Sequence, residues 1–279
     1  MHADERNGDL PVFQILTALK FFIQPRVPMK SLIRKASCFY VLAFGLAVAT
    51  PAASVDINSN LSPLEIQDAD PSDVGSRSVD VSARYQRTED GENEWQLQPR
   101  VKFGVAKNMQ LDIGTSIVGG HTREGSGDIN ARLLYRFVEQ RSDNLLPSVA
   151  VSLRVDFLSG VDSPGLDTDA RFIMSRKIAS HGHGHMNLTW QHDAGARPGN
   201  REHRYGLIFG YDYDLSERTS LLSDLVLRQS QSPGKAERMV EIGLRHAPLK
   251  DLVLGAGLGW GINEDAPRYR VLFSAQKAF

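Results

Sequence analysis

Apolar and polar residues alternate along most of the chain, from Arg77 to the last residue. One of the clearest runs places apolar side chains at every second position: Leu252, Leu254, Ala256, Leu258, Trp260 and Ile262. A period of two residues is typical of a β-strand with one apolar face. Twelve such runs, separated by turn residues, predict about twelve strands and an all-β protein.

The positions between the apolar residues carry many charges, even in the middle of the predicted strands. A soluble β-sandwich or a lipid-carrying barrel would also alternate, but a charged face opposite an apolar face is what a bilayer requires of a closed barrel. We therefore predict a closed antiparallel up-and-down transmembrane β-barrel over residues 77–279. The side chains expected to line its lumen are Arg84, Arg100, Lys102, Asp112, Arg132, Arg154, Asp156, Arg171, Arg245 and Arg270.

The predicted connections alternate between short turns, such as Lys107–Asn108, and longer polar loops, such as Gly119–Gly127. This asymmetry is typical of outer-membrane barrels, which have short periplasmic turns and longer extracellular loops. An even number of strands then places both ends of the barrel in the periplasm. The chain ends on an aromatic residue, Phe279, which we expect to direct insertion by the outer-membrane assembly machinery.

The segment before the barrel has the pattern of a secretion signal. Lys30, Arg34 and Lys35 precede an apolar stretch, which is followed by small residues up to Ser54. This is the order of a signal peptide, and a single anchoring transmembrane helix is the alternative interpretation. We predict a cleaved signal region over residues 1–54, with Met29 as the natural start, and a flexible periplasmic lead-in over residues 55–76.

Composition excludes several classes of function. A formal net charge of -1 gives no basic excess for binding nucleic acid. The single cysteine excludes an intramolecular disulfide framework and a cysteine-based zinc cluster. We expect no cofactor. The predicted inner charges have two open interpretations: opposite-charge pairs that stiffen a narrow lumen, or the lining of a permeation path. Residues 55–76 are a candidate plug.

The stretch His181-Gly182-His183-Gly184-His185 contains three of the eight histidines. Alternate residues on a strand share a face, so metal binding is geometrically feasible. His185 and Asn187, with Ser175 or Ser180 on the neighbouring strand, also have the residue types of a lipid hydrolase. However, no acidic partner is evident in the nearby sequence. We interpret the stretch as a turn with exposed histidines, and expect neither a catalytic nor a metal site.

Several segments resemble one family of outer-membrane proteins. The longest is GDINARLLYRFVEQRSDNLLPSVAVSLRVDFLSG, from Gly127 to Gly160, and others are FGVAKNMQLDIGTSI, HMNLTW and EIGLRHAPLKDLVLGAGLGWGI. They resemble the β-barrel family named for the meta-pathway of phenol degradation. The resemblance implies a barrel in outer-membrane lipid that conducts aromatic or other small hydrophobic compounds. The expected function is thus a passive channel for small molecules, with an adhesive or structural barrel and a lipid-modifying hydrolase as alternatives.

Overall fold

The computed structural model describes residues 63–88, 91–120, 125–141, 145–157, 166–196 and 198–279. The predicted signal region and residues 55–62 of the predicted lead-in lie outside the described residues. No helix in the described ranges is long and apolar enough to cross a membrane.

Twelve β-strands follow one another in the described part of the chain. They are β1 (Arg77–Arg87), β2 (Asn93–Ala106), β3 (Met109–Gly120), β4 (Gly125–Val138), β5 (Ser148–Phe157), β6 (Asp167–Ala179), β7 (Gly182–His192), β8 (His203–Ser216), β9 (Thr219–Gln229), β10 (Ala236–Leu249), β11 (Leu252–Gly261) and β12 (Tyr269–Ala278).

Each strand pairs antiparallel with its neighbours in sequence, and the last strand pairs with the first. The closing ladder runs from Ser78 opposite Ala278 to Arg87 opposite Tyr269. Closure leaves no unpaired sheet edge, because the polar groups of every strand are paired on both sides. The predicted closed antiparallel barrel of about twelve strands is confirmed.

The two ends of the barrel differ in their connections. At one end, here named the turn end, the connections cover residues 107–108, 139–147, 180–181, 217–218 and 250–251. Asn108 takes a positive φ of 64° there, in the left-handed region that asparagine tolerates. At the opposite end, the loop end, the connections cover residues 88–92, 121–124, 158–166, 193–202, 230–235 and 262–268. The start of β1 and the end of β12 both lie at the turn end.

The outer surface of the barrel is apolar and exposed. Its exposed large side chains include Ile113, Leu133, Leu153, Leu188, Phe209, Ile242, Leu258 and Phe273. Exposed aromatic residues lie towards both ends: Tyr135, Phe137, Tyr211 and Tyr213 near the turn end, and Trp95, Phe157, Tyr205 and Trp260 near the loop end. Two aromatic bands flanking an apolar surface are typical of membrane barrels.

The inner surface is less polar than the alternation indicates. Buried apolar side chains point inward from β4, β6, β8, β9, β10 and β12: Leu134, Ile173, Ile208, Leu222, Val226, Met239 and Leu272. Several of them follow directly after an outward apolar residue, as Leu222 follows Leu221. Such apolar doublets blur a period of two. These inward residues have apolar partners from the segment that precedes β1.

Candidate functional site

Residues 63–76, here named the inner segment, enter the barrel at the turn end. Next to β1 the segment is fixed by two backbone hydrogen bonds: Gly75 N–H donates to Gly104 O at 2.8 Å, and Gly104 N–H donates to Ser76 O at 3.1 Å. Gly75 has a φ of +82°, which favours glycine, so the chain can turn from the strand into the lumen. The predicted flexible lead-in thus has a defined path from Pro63 onward.

Side chains of the barrel bind the backbone of the inner segment. Five of its N–H groups donate to five different strands: Glu65 to Glu241 Oε2 (3.2 Å), Ile66 to Asp224 Oδ2 (3.0 Å), Gln67 to Asn187 Oδ1 (2.8 Å), Ala69 to Ser175 Oγ (2.9 Å) and Ser72 to Gln110 Oε1 (2.8 Å). A buried N–H without a partner is costly, so an extended segment in the lumen needs such acceptors. The barrel therefore carries a row of acceptors that matches this segment.

Apolar contacts fix the same segment. Leu64 and Ile66 belong to one buried cluster with Ile208, Leu222, Val226, Met239, Ala266 and Leu272. Ala69 belongs to a second cluster with Leu134, Ala150 and Ile173. Burial of apolar surface contributes about 25 cal/mol per Å². These clusters explain why part of the inner surface is apolar, and the segment fills the lumen where it passes.

Glu65 lies in a cluster of four arginines. Its Oε1 is 3.0 Å from Arg270 Nη1, 3.3 Å from Arg84 Nη1 and 3.9 Å from Arg228 Nη1. Arg171 Nη1 donates to the backbone carbonyl of Glu65 at 3.0 Å. Burial by itself would raise the pKa of Glu65, but the positive charges of Arg228, Arg270, Arg84 and Arg171 hold it well below its usual range. Glu65 is therefore an ionised carboxylate.

The arginine cluster has a second acidic neighbour. Arg270 Nη1 also donates to Glu241 Oε1 at 2.8 Å, and both side chains are almost completely buried. A buried charge is stable only when it is paired and hydrogen-bonded. Arg270 thus connects the inner segment to β10 through two carboxylates.

A second ion cluster lies on the neighbouring strands β1 and β2. The buried carboxylate of Asp80 is 2.8 Å from Arg100 Nη2 and 3.3 Å from Lys102 Nζ. On β3, Asp112 accepts a hydrogen bond from Gln110 at 2.7 Å. The pairs of Asp80 with Arg100 and Lys102 join β1 to β2 and stiffen the wall of the barrel.

Towards the turn end, β6, β7 and β8 bring together a serine, a histidine and an aspartate. His185 Nδ1 is 2.9 Å from Ser175 Oγ, and His185 Nε2 is 2.5 Å from Asp212 Oδ1. His183 Nδ1 is 3.1 Å from Asp212 Oδ2. Ser175 Oγ also accepts a hydrogen bond from the N–H of Ala69, so this cluster binds the backbone of the inner segment.

The structure corrects the interpretation of the histidine stretch in three respects. The turn is residues 180–181, and Gly182 already belongs to β7. His185 is a buried side chain, only 7% exposed, and not a rim residue. Finally, an acidic partner exists, since Asp212 lies 27 residues away in sequence but next to His185 in space. Among the described residues, no group of three or more His, Cys, Asp or Glu side chains is arranged to hold a metal ion.

The residues proposed from the sequence to line the lumen fall into three groups. Arg84, Arg171 and Arg270 contact Glu65 of the inner segment. Arg100, Lys102 and Asp112 lie in or beside the Asp80 cluster. The remaining four are Arg154 paired with Asp156, Arg245 close to Asp212, and the half-buried Arg132. Phe279 follows β12 and donates its N–H to Arg77 O at 3.0 Å.

The sequence-based list of lumen residues omitted the acceptors that bind the backbone N–H groups of the inner segment, namely Asn187, Asp224, Glu241, Ser175 and Gln110. It also omitted Glu65, which the arginines contact. One signal was present in the sequence: polar residues such as Asp224 and Glu241 occupy inward positions of strands that are otherwise apolar. What they contact depends on a segment far away in sequence.

Comparison with solved structures finds this fold in outer-membrane channels and porins. An outer-membrane channel from Pseudomonas putida F1 matches with a TM-score of 0.59 and 12% sequence identity, over 77% of this chain and 100% of that chain. The KdgM porin matches with a TM-score of 0.54 and 12% identity, over 72% and 99%. The NanC porin matches with a TM-score of 0.52 and 8% identity, over 71% and 98%. No family model and no curated protein sequence matches this chain.

Proposed function

We propose that this protein is an outer-membrane channel through which small molecules pass passively along the lumen. The observation that carries the proposal is a closed barrel whose outer surface is exposed and apolar and whose inner surface carries paired charges. A bilayer requires this distribution, because lipid tails solvate neither charges nor unpaired backbone groups. The fold shared with channels and porins supports the same function.

The orientation follows from the two ends. The turn end, with both termini of the barrel, faces the periplasm, and the loop end faces outward. The inner segment then enters from the periplasmic side, and the predicted signal directs export. We also propose membership of the family named for the meta-pathway of phenol degradation, with aromatic or other small hydrophobic compounds as permeants.

The inner segment sets the conductance in this proposal. A barrel of this size is narrow enough for side chains and one extended segment to fill it. Residues 63–72 cross the lumen on acceptors from β3, β6, β7, β9 and β10. A solute that follows the same path therefore requires the segment to shift.

Three measurements test the proposal. The first is fractionation with heat-modifiable gel mobility, for which recovery of the folded protein in outer membranes is expected. The second is planar-bilayer conductance of the purified protein. The third compares this conductance with that of a variant lacking residues 55–72, which we expect to be several-fold larger. A folded protein that never passes current, with or without the segment, would overturn the channel assignment.

Among the described residues, the contacts of His185 with Ser175 and Asp212 are the observation that favours a hydrolase. A nucleophile must reach its substrate, but Ser175 is buried and its Oγ accepts the N–H of Ala69. We propose that this cluster holds the inner segment and does not catalyse hydrolysis. Lipid hydrolysis by the wild type that is abolished in Ser175→Ala would show the opposite.

A further inference from the structure

Three consecutive residues of the inner segment combine a carboxylate with two apolar groups. Glu65 directs its carboxylate to Arg84, Arg228 and Arg270. Its neighbours Leu64 and Ile66 lie in the apolar cluster on the wall of the barrel. The arginines and the apolar wall thus form one site with two chemically different halves, which this tripeptide fills.

We propose that this arginine cluster is a binding site for small amphiphilic carboxylates, and that Glu65 occupies it as an internal substitute for such a solute. The inference rests on the proposed channel function only in taking the ligand to be a permeant. Binding itself requires no conduction.

Charge balance explains why the ligand must be an anion. Four arginines surround Glu65, and only three further carboxylates form ion pairs with them among the described residues: Glu241 beside Arg270, Glu237 beside Arg228 and Asp169 beside Arg171. If Glu65 leaves, positive charge remains in a poorly solvated lumen, which is costly. A neutral solute would leave this cost in place, whereas a carboxylate would remove it. Guanidinium groups also match the planar geometry of a carboxylate.

The apolar half of the site explains why the ligand must be amphiphilic. Leu64 packs close to β10 and β11. The contact with β11 is so close that a Cβ added at Gly257 would fall 2.7 Å from Leu64 Cδ2. Ile66 packs on β8, where a Cβ at Gly210 would fall 2.5 Å from its Cγ1. When the segment shifts, these glycines and the aliphatic wall expose an apolar surface beside the arginines. An aromatic or short aliphatic acid covers both halves.

The site is reachable from the loop end. The side chain of Arg84 is 33% exposed, the most exposed of the three arginines that contact the carboxylate. It borders a recess lined also by Gln86, Glu94, Trp95, Gln96 and Val118. A solute in this recess meets Arg84 before it meets Arg270. It then competes with Glu65, whose tether gives it an effective concentration in the millimolar range or above.

Calorimetric titration of the folded, detergent-solubilised protein tests the proposal. The probe is benzoate, and benzamide is its neutral control of almost the same shape. We expect Glu65→Ala to bind benzoate at least about tenfold more tightly than the wild type, because the internal competitor is removed. Benzamide should show no such gain. Equal gains for benzoate and benzamide, or no gain for either, would overturn the proposal.

Two further variants locate the binding. In the Glu65→Ala background, Arg84→Gln should weaken benzoate binding about tenfold or more. Arg154→Gln, which removes a lumen arginine paired with Asp156 and not with Glu65, should leave it within about twofold. An equal loss in both variants would mean a diffuse attraction and not a site. Inorganic phosphate that binds as tightly as benzoate would overturn the carboxylate class.

If the Glu65→Ala protein does not fold, a second variant, Glu65→Gln, replaces it. Glu65→Gln keeps the length of the side chain and removes its charge, and a gain confined to benzoate is expected there too. Failure of the channel function and failure of the binding site give different results. Benzoate binding without current supports the carboxylate site and not the channel function. Current without charge-selective binding supports the channel function and overturns the carboxylate site.

Discussion

Gln67 and Asn187 exchange two hydrogen bonds across the lumen. The backbone N–H of Gln67 donates to Asn187 Oδ1 at 2.8 Å, and Asn187 Nδ2 donates to the backbone carbonyl of Gln67 at 2.8 Å. The side-chain amide thus binds the segment as a neighbouring strand would. Asn187 is completely buried, so both groups would lack partners if either side were removed.

Asn187→Ala should therefore loosen the inner segment without opening the barrel. Each lost hydrogen bond contributes about 1 kcal/mol. We expect hydrogen exchange within residues 63–76 to accelerate roughly tenfold or more, as measured by mass spectrometry. Asn187→Asp keeps the acceptor for Gln67 N–H and loses the donor, so its exchange rate should lie between those of the wild type and Asn187→Ala. Unchanged exchange in Asn187→Ala would show that this pair does not hold the segment.

Gly210→Ala should displace Ile66. The added Cβ would fall 2.5 Å from Cγ1 of Ile66, so the apolar side chain must move from its place on β8. Faster exchange at the centre of the inner segment and a larger conductance are expected. Gly184→Ala is the control, because its Cβ would meet only Ile178 at an ordinary 3.5 Å. A similar effect of both substitutions would contradict this packing.

Asp68 should make the docking of the inner segment weaker as the pH rises. Burial, and then the nearby Asp70 carboxylate, raise the pKa of Asp68, against the opposing effects of His185 and Ser175. A raised pKa means that the contribution of Asp68 to docking is most favourable below the ordinary value of about 3.8 and is lost as the pH rises through the raised value. The lowered pKa of Glu65 acts in the opposite direction, and only at acid pH.

Asp68→Asn removes this titration. We expect the variant to protect the inner segment better than the wild type at neutral pH, with a flatter dependence on pH, as measured by exchange at matched pH values. Asp73→Asn, an exposed carboxylate of the same segment, is the control and should follow the wild type. If Asp68→Asn also follows the wild type, Asp68 does not control docking.

Asp80→Asn should destabilise the barrel itself. Asp80 is completely buried between Arg100 and Lys102, and its loss leaves two poorly solvated cations facing each other. We expect the free energy of unfolding to fall by about 3 kcal/mol, measured by urea titration of the folded gel mobility. Asp156→Asn is the matched control, because Asp156 and its partner Arg154 are both partly exposed. Equal losses would refute the role of burial.

The fold could be predicted because its determinants are local in the sequence. In β11, Leu254, Ala256, Leu258 and Trp260 alternate with glycines, and this pattern alone indicates a strand with one apolar face. The register also follows from the short turns, which pair each strand with the next. By contrast, β9 carries apolar residues on both faces, since Leu222 and Val226 face the lumen. Its pattern is correspondingly weak.

The site could be predicted only in part, because its contacts join distant residues. An excess of arginine at alternating positions indicated inner charges, but nothing local shows that Arg270 meets Glu65, 205 residues away. Likewise His185 and Asp212 meet because the β7–β8 register places Gly210 opposite His185. Residues 55–76 were a candidate plug. Which side chains receive residues 63–76 depends on the closed barrel as a whole.

Recognition of the inner segment through its backbone has a consequence for sequence variation. The acceptors on Asn187, Asp224, Glu241, Ser175 and Gln110 bind peptide N–H groups, which every residue except proline provides. In related barrels, the side chains that accept these hydrogen bonds should therefore vary little, while most residues of the inner segment vary freely. Positions whose side chains contact the barrel, such as Leu64 to Ile66 and the small Ala69, should stay constrained. The path of this segment is thus determined mainly by residues of the strands that surround it.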